Sequence, residues 1–253
     1  MSYLLANTLG LVGLVGVFYL TGWAADHILL AGRGLAPVAG VGRFGLGAAV
    51  WIALLFLMAA VGLLNPPMLG LMLLLTLAGV WRYRRASGVG LLPDSAAGPR
   101  IAEDWSARLV GCGMAVLLFV IWVQASWPSI AWDADVYHLT VPRLYLEHGG
   151  FRRIPFNVYS NWPLNTQMLY SMALMISGSG LAKLLHFTFG FSILVTIYRI
   201  VKRESTAWAG WIGASLFLLN PVVLDEMRAA YVDLAFAFFF LLAFFFVHLH
   251  LES

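Results

Sequence analysis

Charged residues and cysteines are scarce in this sequence, and each scarcity excludes a class of protein. Only 11% of the 253 residues are charged, against 61% that are hydrophobic, whereas a soluble domain carries roughly 25% charged residues. The composition therefore predicts a polytopic membrane protein. Cys112 is the only cysteine, so no internal disulfide can form, and its apolar surroundings predict a small hydrophobic contact with a neighbouring helix.

Basic residues are too few and too scattered for nucleic-acid binding. The formal net charge is only +3, and the basic residues flank apolar runs instead of forming a stripe. No basic region precedes the first apolar run, residues 3–23, and no clean small-residue cleavage site follows it. This run is therefore predicted to be a retained membrane span and not a cleaved signal peptide.

Seven apolar runs predict an all-α bundle of about seven transmembrane helices. A span needs about 20 largely apolar residues, and the candidate runs are 3–23, 44–64, 68–81, 109–127, 181–200, 207–224 and 232–249. The third run is short, but the arginines within 82–85 can extend from its end to the membrane surface. Asn65-Pro66-Pro67 predicts a tight turn before it, since two prolines cannot continue a helix.

The segment 164–178 decides the predicted topology. At about 15 residues it is too short to span, so we interpret it as an interfacial or re-entrant helix. The basic residues Arg33 and Arg43, and those within 82–108 and 199–203, then lie on the cytoplasmic side, as the positive-inside rule requires. The N-terminus and the loops 127–180 and 220–233 are predicted to be external.

The cytoplasmic segment 82–108 carries glycine, proline, serine and charges of both signs, which is typical of a linker. It divides the chain into a three-span N-terminal region with its linker, residues 1–107, and a second part, residues 108–253. The candidate functional residues fall in the second part.

The first long external loop begins with W-D-A-D-V-Y-H-L, residues 132–139. Carboxylates and a histidine at the exit of a span are not needed for insertion, so Asp133, Asp135 and His138 are candidate functional residues. A helix starting here would place Asp135 and His138 on one face. Asp133 has an alternative interpretation as a helix N-cap, and His138 alone has one as an interfacial histidine with satisfied hydrogen bonds.

A second external acidic segment, D-E-M-R-A-A-Y-V-D, residues 225–233, precedes the last apolar run. Asp233 stands at the mouth of that run, where partial desolvation of a carboxylate would suit a general base. The alternative role of Asp233 is a cap at the positive end of the last helix.

External arginines and tryptophans have structural interpretations as well as functional ones. Trp122, Trp127, Trp132 and Trp162 are expected to form an interfacial belt rather than a platform for a sugar. The external arginines are Arg143, Arg152, Arg153 and Arg228. They are expected either to meet an anion or to be charges in longer loops, which count for little in orientation. Arg152 and Arg153 have the further alternative of contacting lipid head groups.

In order and topology, these segments resemble the N-terminal half of GT-C-type glycosyltransferases, polytopic enzymes that include protein mannosyltransferases and lipid A aminoarabinose transferases. In that family an acidic motif follows a span in the first long external loop, a position taken here by Asp133, with Asp135 two residues on. A juxtamembrane helix near a proline is similar to residues 159–170, Y-S-N-W-P-L-N-T-Q-M-L-Y, and a later external acid is matched by Asp233 in A-A-Y-V-D-L-A. The resemblance covers roughly residues 109–253.

The resemblance implies a membrane glycosyltransferase, or its N-terminal module, in a bacterial inner or plasma membrane. It would transfer a sugar from a polyprenyl-phosphate donor to an external acceptor, with catalytic roles for Asp133, Asp135, His138 and Asp233. Cations stabilise a phosphate leaving group, and the paired carboxylates permit a divalent metal, although no ligand set is complete enough to assign one. The side chains implied to contact the donor are Arg143, Arg152, Arg153, Lys183, His186, Arg228 and Tyr231.

This chain is shorter than most GT-C enzymes, which usually have more spans and often a C-terminal domain. The alternative function is therefore a non-catalytic membrane subunit that binds a lipid-linked substrate or a partner enzyme. A transporter is disfavoured, because transporters place ionisable groups near the bilayer midplane and the mid-span positions here are almost uncharged.

Overall fold

The computed structural model describes residues 2–29, 39–91 and 105–252, and within these ranges the chain is helical and contains no β-strand. The all-α prediction is confirmed. Arg33 and most of the predicted linker, residues 92–104, lie outside the described residues. The helices are α1 (Ser2–Leu29), α2 (Ala39–Ala60), α3 (Pro66–Ser87), α4 (Trp105–Ser126), α5 (Thr140–His148), α6 (Asn165–Ile176), α7 (Ser179–Glu204), α8 (Ala207–Leu218), α9 (Pro221–Glu226) and α10 (Asp233–Glu252).

Four of these helices, α1, α2, α4 and α7, are long and apolar enough to cross a membrane. The remaining three runs that were expected to span also form helices, but α8 and the apolar part of α10, Asp233–His248, fall in the range of 10–17 residues. Helix α3 has 22 residues, and arginines occupy its last turn. The membrane prediction is therefore supported by four helices, and the count of seven spans is not confirmed.

Helix α6 forms within the segment 164–178, which was predicted not to span the membrane. Its 12 residues are about 18 Å long at 1.5 Å per residue, well short of the roughly 30 Å hydrocarbon core of a bilayer. Eight consecutive residues, 166–173, are buried, and the helix packs against α2, α5 and α7. Such burial fits the re-entrant interpretation better than a helix lying on the membrane surface.

Helices α1 and α2 pack in direct backbone contact because glycines meet at their crossing. A Cβ atom added to Gly47 would lie 1.7 Å from the carbonyl oxygen of Phe18, and one added to Gly22 would lie 1.7 Å from that of Arg43. Small residues at such crossings are typical of helices packed in membranes. Beside this crossing, Arg43 forms a buried ion pair with Asp26, with 3.1 Å between Nε and Oδ2.

One hydrophobic cluster joins the two regions that the sequence divides at residue 107. Phe44 of α2 lies 5.4 Å from Phe189 of α7 and 5.9 Å from Phe238 of α10, measured between ring centroids. Helix α2 of the first region therefore packs directly against helices of the second region. The division at residues 107 and 108 stays a prediction.

Two local expectations change in detail. The prolines of Asn65-Pro66-Pro67 do not form the turn but begin α3, and the Asn65 side chain caps that helix by accepting from the backbone N–H of Met68. The chain reverses just before, at Gly62, whose φ of 77° suits glycine. Cys112 is exposed on α4 instead of packing against a neighbouring helix.

Candidate functional site

The predicted acidic octapeptide folds as a π-helical turn, Ala134–His138, in which the Leu139 N–H bonds to the Ala134 carbonyl. Such turns are rare and are found frequently at functional sites. The side chain of Asp133 makes no capping hydrogen bond, so its N-cap interpretation is not supported.

The wider spacing of the π-helical turn separates two residues that were expected to share a helix face. Asp135 is exposed, whereas His138 is buried and only 5% accessible. Asp135 interacts electrostatically with Lys183, while His138 lines a large cavity. The expectation of a shared face assumed the i→i+4 bonding of an α-helix, and the i→i+5 bond of this turn changes that spacing.

A cavity of about 1130 Å³ lies between α2, α10, the π-helical turn and the start of α6. Its walls differ in chemistry. The first wall is apolar and comes from α2 and the start of α10: Ala49, Ile52, Ala53, Phe56, Leu57, Val232, Phe236 and Phe239. The second carries most of the polar groups: Tyr137, His138, Trp162, Pro163, Asn165, Thr166, Gln167 and Asp233.

The apolar wall continues onto the outer surface of the bundle. Phe56 is 48% exposed, Leu57 60% and Phe236 73%. In a membrane these side chains would meet lipid, and the cavity would then open to the hydrocarbon along this wall. A site with an apolar wall and a polar end suits an amphiphilic ligand.

Gln167 orients His138 at the polar end. The Gln167 amide nitrogen lies 2.9 Å from His138 Nδ1, and because an amide N–H donates, Nδ1 accepts. Burial, followed by the nearby His186, lowers the pKa of His138 to about 4. The imidazole is therefore neutral at pH 7, with its proton on Nε2, which makes no hydrogen bond to the described residues.

Aromatic rings build the rest of this end of the cavity. The rings of Tyr137 and Tyr159 stack with centroids 4.4 Å apart, and Trp162 stands edge-on 5.0 Å from Tyr159. Trp162 therefore belongs to a cavity wall as well as to the aromatic surface expected from the sequence. Tyr159 and Trp162 lie on a loop that is held to the π-helical turn by Asn157, which donates to the Val136 carbonyl.

Asp133 and Asp233, which were predicted to share a site, act on the same tyrosines. Burial is the main cause that raises the pKa of Tyr137 and of Tyr231, and Asp133 and Asp233 both contribute to each shift. Asp233 lines the cavity at the first residue of α10. Its side chain is exposed, so protein burial does not supply the desolvation that was expected there.

A carboxyl group with a raised pKa lies nearby, that of Glu226 on α9. Its pKa is raised to about 7, first by burial and then by Asp233, Asp225 and Asp133. Its Oε2 atom is buried without a hydrogen-bond partner among the described residues. The Glu226 carboxyl group is therefore partly protonated at neutral pH.

The cations predicted to hold a phosphate do not line the cavity. Arg143, Arg152 and Arg153 are exposed, and Arg228 is ion-paired with Asp225. None of these four arginines is brought to the polar end by the fold.

Lys183 and His186 serve the helix framework instead. The Lys183 ammonium donates to the carbonyls of Gln124, Trp127 and Pro128 and so holds the end of α4. His186 is fully buried, and its Nδ1 donates to the carbonyls of Glu226 and Ala229 at 2.9 and 3.0 Å. Both side chains therefore bond to backbone carbonyls of other helices and loops.

Tyr231 joins the polar end through both its ring and its backbone. Its ring centroid lies 5.9 Å from that of His138, and its carbonyl accepts from the hydroxyl of the buried Tyr170. Within the described ranges, no group of three or more His, Cys, Asp or Glu side chains is placed to hold a metal ion.

Tyr137, Gln167 and Glu226 are site residues that sequence reasoning missed. The first lies in the octapeptide and the last in the acidic segment, so both could have been included. Gln167 gave no signal, because its role depends on a contact with a residue 29 positions away.

Comparison with protein-family models finds no match, and comparisons with curated proteins and with solved structures also find none. Function must therefore be inferred from the site.

Proposed function

We propose that this chain is a membrane glycosyltransferase, or its N-terminal module, that transfers a sugar from a polyprenyl-phosphate donor to an external acceptor. The main support is that Asp233 lines the same cavity as Tyr137 and His138, which lie far earlier in the sequence, and that the other wall of this cavity is apolar and partly exposed on the outside of the bundle. A polyprenyl chain needs such a wall, and acceptor activation needs a carboxylate at the polar end. Seven spans, with this polar end on the external face, are part of the proposal.

In the proposed reaction, the acceptor hydroxyl gives its proton to Asp133 or Asp233. Its oxygen forms a bond to the anomeric carbon of the sugar. The bond between that carbon and the phosphate oxygen breaks, and its electron pair leaves with the polyprenyl phosphate. A carboxylate positioned as general base contributes typically 10²–10⁴-fold to such a step.

The test is sugar transfer in membranes that contain the chain and a radiolabelled polyprenyl-phosphate hexose. Asp233→Asn and Asp133→Asn are each expected to lower the transfer rate, at least one of them by about 100-fold. Asp135→Asn should cost less, because Asp135 does not line the cavity and, unlike Asp133 and Asp233, does not act on Tyr137 or Tyr231. Glu147→Gln, at an exposed position of α5, is the matched control. Full transfer by both Asp133→Asn and Asp233→Asn would refute the proposal.

A second candidate is a non-catalytic membrane subunit that binds a lipid-linked substrate or a partner enzyme. The observation that favours it is the position of the predicted phosphate contacts, none of which except the uncharged Tyr231 reaches the polar end. In this case a second polytopic chain supplies the cations. Co-purification of such a chain, with transfer only when both are present, would select this candidate.

A further inference from the structure

The polar end of the cavity offers hydrogen-bond donors and acceptors but no cation. Its ionisable residues are Tyr137, His138 and Asp233, and of these only Asp233 is an acidic residue. Arginine and lysine, which bind phosphates in most protein sites, are absent from the residues that line it.

His138 and Asp233 have complementary hydrogen-bonding roles there. Gln167 occupies Nδ1 of His138, so the neutral ring presents an Nε2–H donor. Asp233 presents a carboxylate that only accepts, and it lies close enough to act electrostatically on His138. A hydroxyl group both donates and accepts, so it can bond to both residues at once. A phosphate offers mainly acceptors, and an ammonium offers only donors.

The charges around this end also oppose an anion. Asp133, Asp225 and Glu226 all act on Tyr231 together with Asp233. The arginine closest in sequence, Arg228, is engaged with Asp225. Because Glu226 is partly protonated and Asp225 is paired with Arg228, the carboxylates that remain to repel a negatively charged head group are Asp133 and Asp233.

We infer that the polar end binds the uncharged, hydroxyl-bearing head group of an amphiphile, with one hydroxyl hydrogen-bonded between His138 Nε2 and Asp233. The hydrocarbon chain of the amphiphile lies along the α2 and α10 wall. The inference rests on the cavity of the proposed function: it assigns this end to a sugar hydroxyl and not to the phosphate, and it leaves Asp133 as the general base of the proposed reaction. Gln167 is a positioning residue, because it fixes the ring nitrogen that carries the proton.

The test compares three amphiphiles with the same chain, dodecyl β-glucoside, dodecyl phosphate and dodecylammonium, on the full chain in zwitterionic nanodiscs at pH 7. Displacement of radiolabelled dodecyl glucoside is measured, and binding to empty nanodiscs is subtracted. Dodecyl glucoside is expected to compete at concentrations about tenfold or more below those of the two charged probes, the factor expected for one hydrogen bond to a charged group. Equal or tighter binding of either charged probe would overturn the inference.

Variants identify the site of this binding. His138→Phe is expected to weaken dodecyl glucoside about tenfold or more, whereas His148→Phe, at an exposed histidine of α5, should leave it unchanged. Gln167→Glu is nearly isosteric and replaces the donor to Nδ1 by an acceptor, so His138 becomes protonated on both nitrogens. The preference for glucoside over phosphate should then shrink. An unchanged preference in Gln167→Glu would show that His138 does not set it.

The two proposals fail in different ways. Selective glucoside binding without any sugar transfer leaves this inference standing and rejects the transferase in favour of the binding subunit. Sugar transfer together with preferred binding of dodecyl phosphate leaves the transferase standing and rejects this inference. Absence of saturable glucoside binding rejects the inference whatever the transfer assay gives.

Discussion

Two polar clusters lie against α2, and they differ in what their side chains meet. Near the start of α2, Arg43 bonds to Asp26 at 3.1 Å and to the Tyr19 hydroxyl at 3.1 Å, and all three residues belong to one packed contact. Near its end, α2 contributes an apolar wall to the cavity that His138 and Asp233 also line. Nε2 of His138 and the carboxylate of Asp233 form no hydrogen bond with the described residues.

The difference indicates which cluster holds the fold and which binds a ligand. A buried charge needs a partner, and Arg43 has one within the protein. At the cavity, His138 Nε2 and the Asp233 carboxylate have no hydrogen-bond partner among the described residues, and both residues line space that an incoming molecule can enter. Variants of the first cluster should therefore lose stability, while variants of the second should lose binding or change the pH dependence of stability.

Arg43→Met is expected to have the largest effect. It leaves Asp26 buried without its cation, which costs about 3–5 kcal/mol when a buried ion pair is broken. Thermal unfolding in detergent micelles, followed by circular dichroism, measures the loss. Glucoside binding by the fraction that remains folded should be unchanged.

The double variant Asp26→Leu with Arg43→Met is the control for this prediction. Replacing both members of a buried ion pair by apolar residues is often neutral, so most of the lost stability should return. If the double variant is as unstable as Arg43→Met, the broken ion pair does not cause the loss of stability. The conclusion that the first cluster stabilises the fold through this pair is then wrong.

Gly47→Ala is expected to be next in size. Its new Cβ atom would meet the Phe18 carbonyl at 1.7 Å, so α1 and α2 must move apart, at a cost of about 1–3 kcal/mol for an overpacked site. Gly13→Ala is the matched control, since its Cβ atom meets nothing within 4 Å. The control should be neutral or slightly stabilising, as alanine favours a helix. Equal melting temperatures for the two variants would contradict the close backbone contact.

His138 should make the protein less stable in acid. Its pKa falls from 6.5 in the unfolded chain to about 4 when folded, so the unfolded chain binds more protons between these values and stability falls as the pH decreases. The loss at about pH 5 is about 2 kcal/mol or less. His138→Gln removes this contribution, and its melting temperature should fall less than that of the wild type between about pH 7 and about pH 5. Parallel curves would mean that His138 is not held neutral.

Glu226 should act with the opposite sign, and we expect the smallest effect because its side chain is only partly buried and solvent screens its interactions. Its pKa rises from 4.5 to about 7 on folding, so the folded state binds more protons in this interval and stability falls as the pH increases. Between about pH 5 and about pH 8 the melting temperature of Glu226→Gln should therefore fall less than that of the wild type. Glu147→Gln, at an exposed site, should keep the wild-type slope. A wild-type slope in Glu226→Gln would show that another group titrates.

Sequence reasoning identified the segments of the site more reliably than the roles of their residues. The octapeptide and Asp233 were chosen because charge at the mouth of an apolar run is unusual, and both segments contribute to the cavity. Arg43 was expected to be a cytoplasmic flanking charge, yet it is 7% exposed and paired with Asp26. Lys183 and His186 were expected to bind a phosphate, yet their partners are backbone carbonyls. A residue type predicts charge, but its partner depends on contacts between distant helices.

The sequence by itself determined that this protein is helical and apolar enough for a membrane, because composition and the length of apolar runs act locally. It also determined where chemistry is concentrated, since ionisable residues are costly beside such runs. Only the tertiary structure decided which of those residues face a common cavity. Gln167 reaches His138, and α2 supplies a wall for residues more than seventy positions later, because helix packing brings together groups whose proximity leaves no periodic signal in the chain.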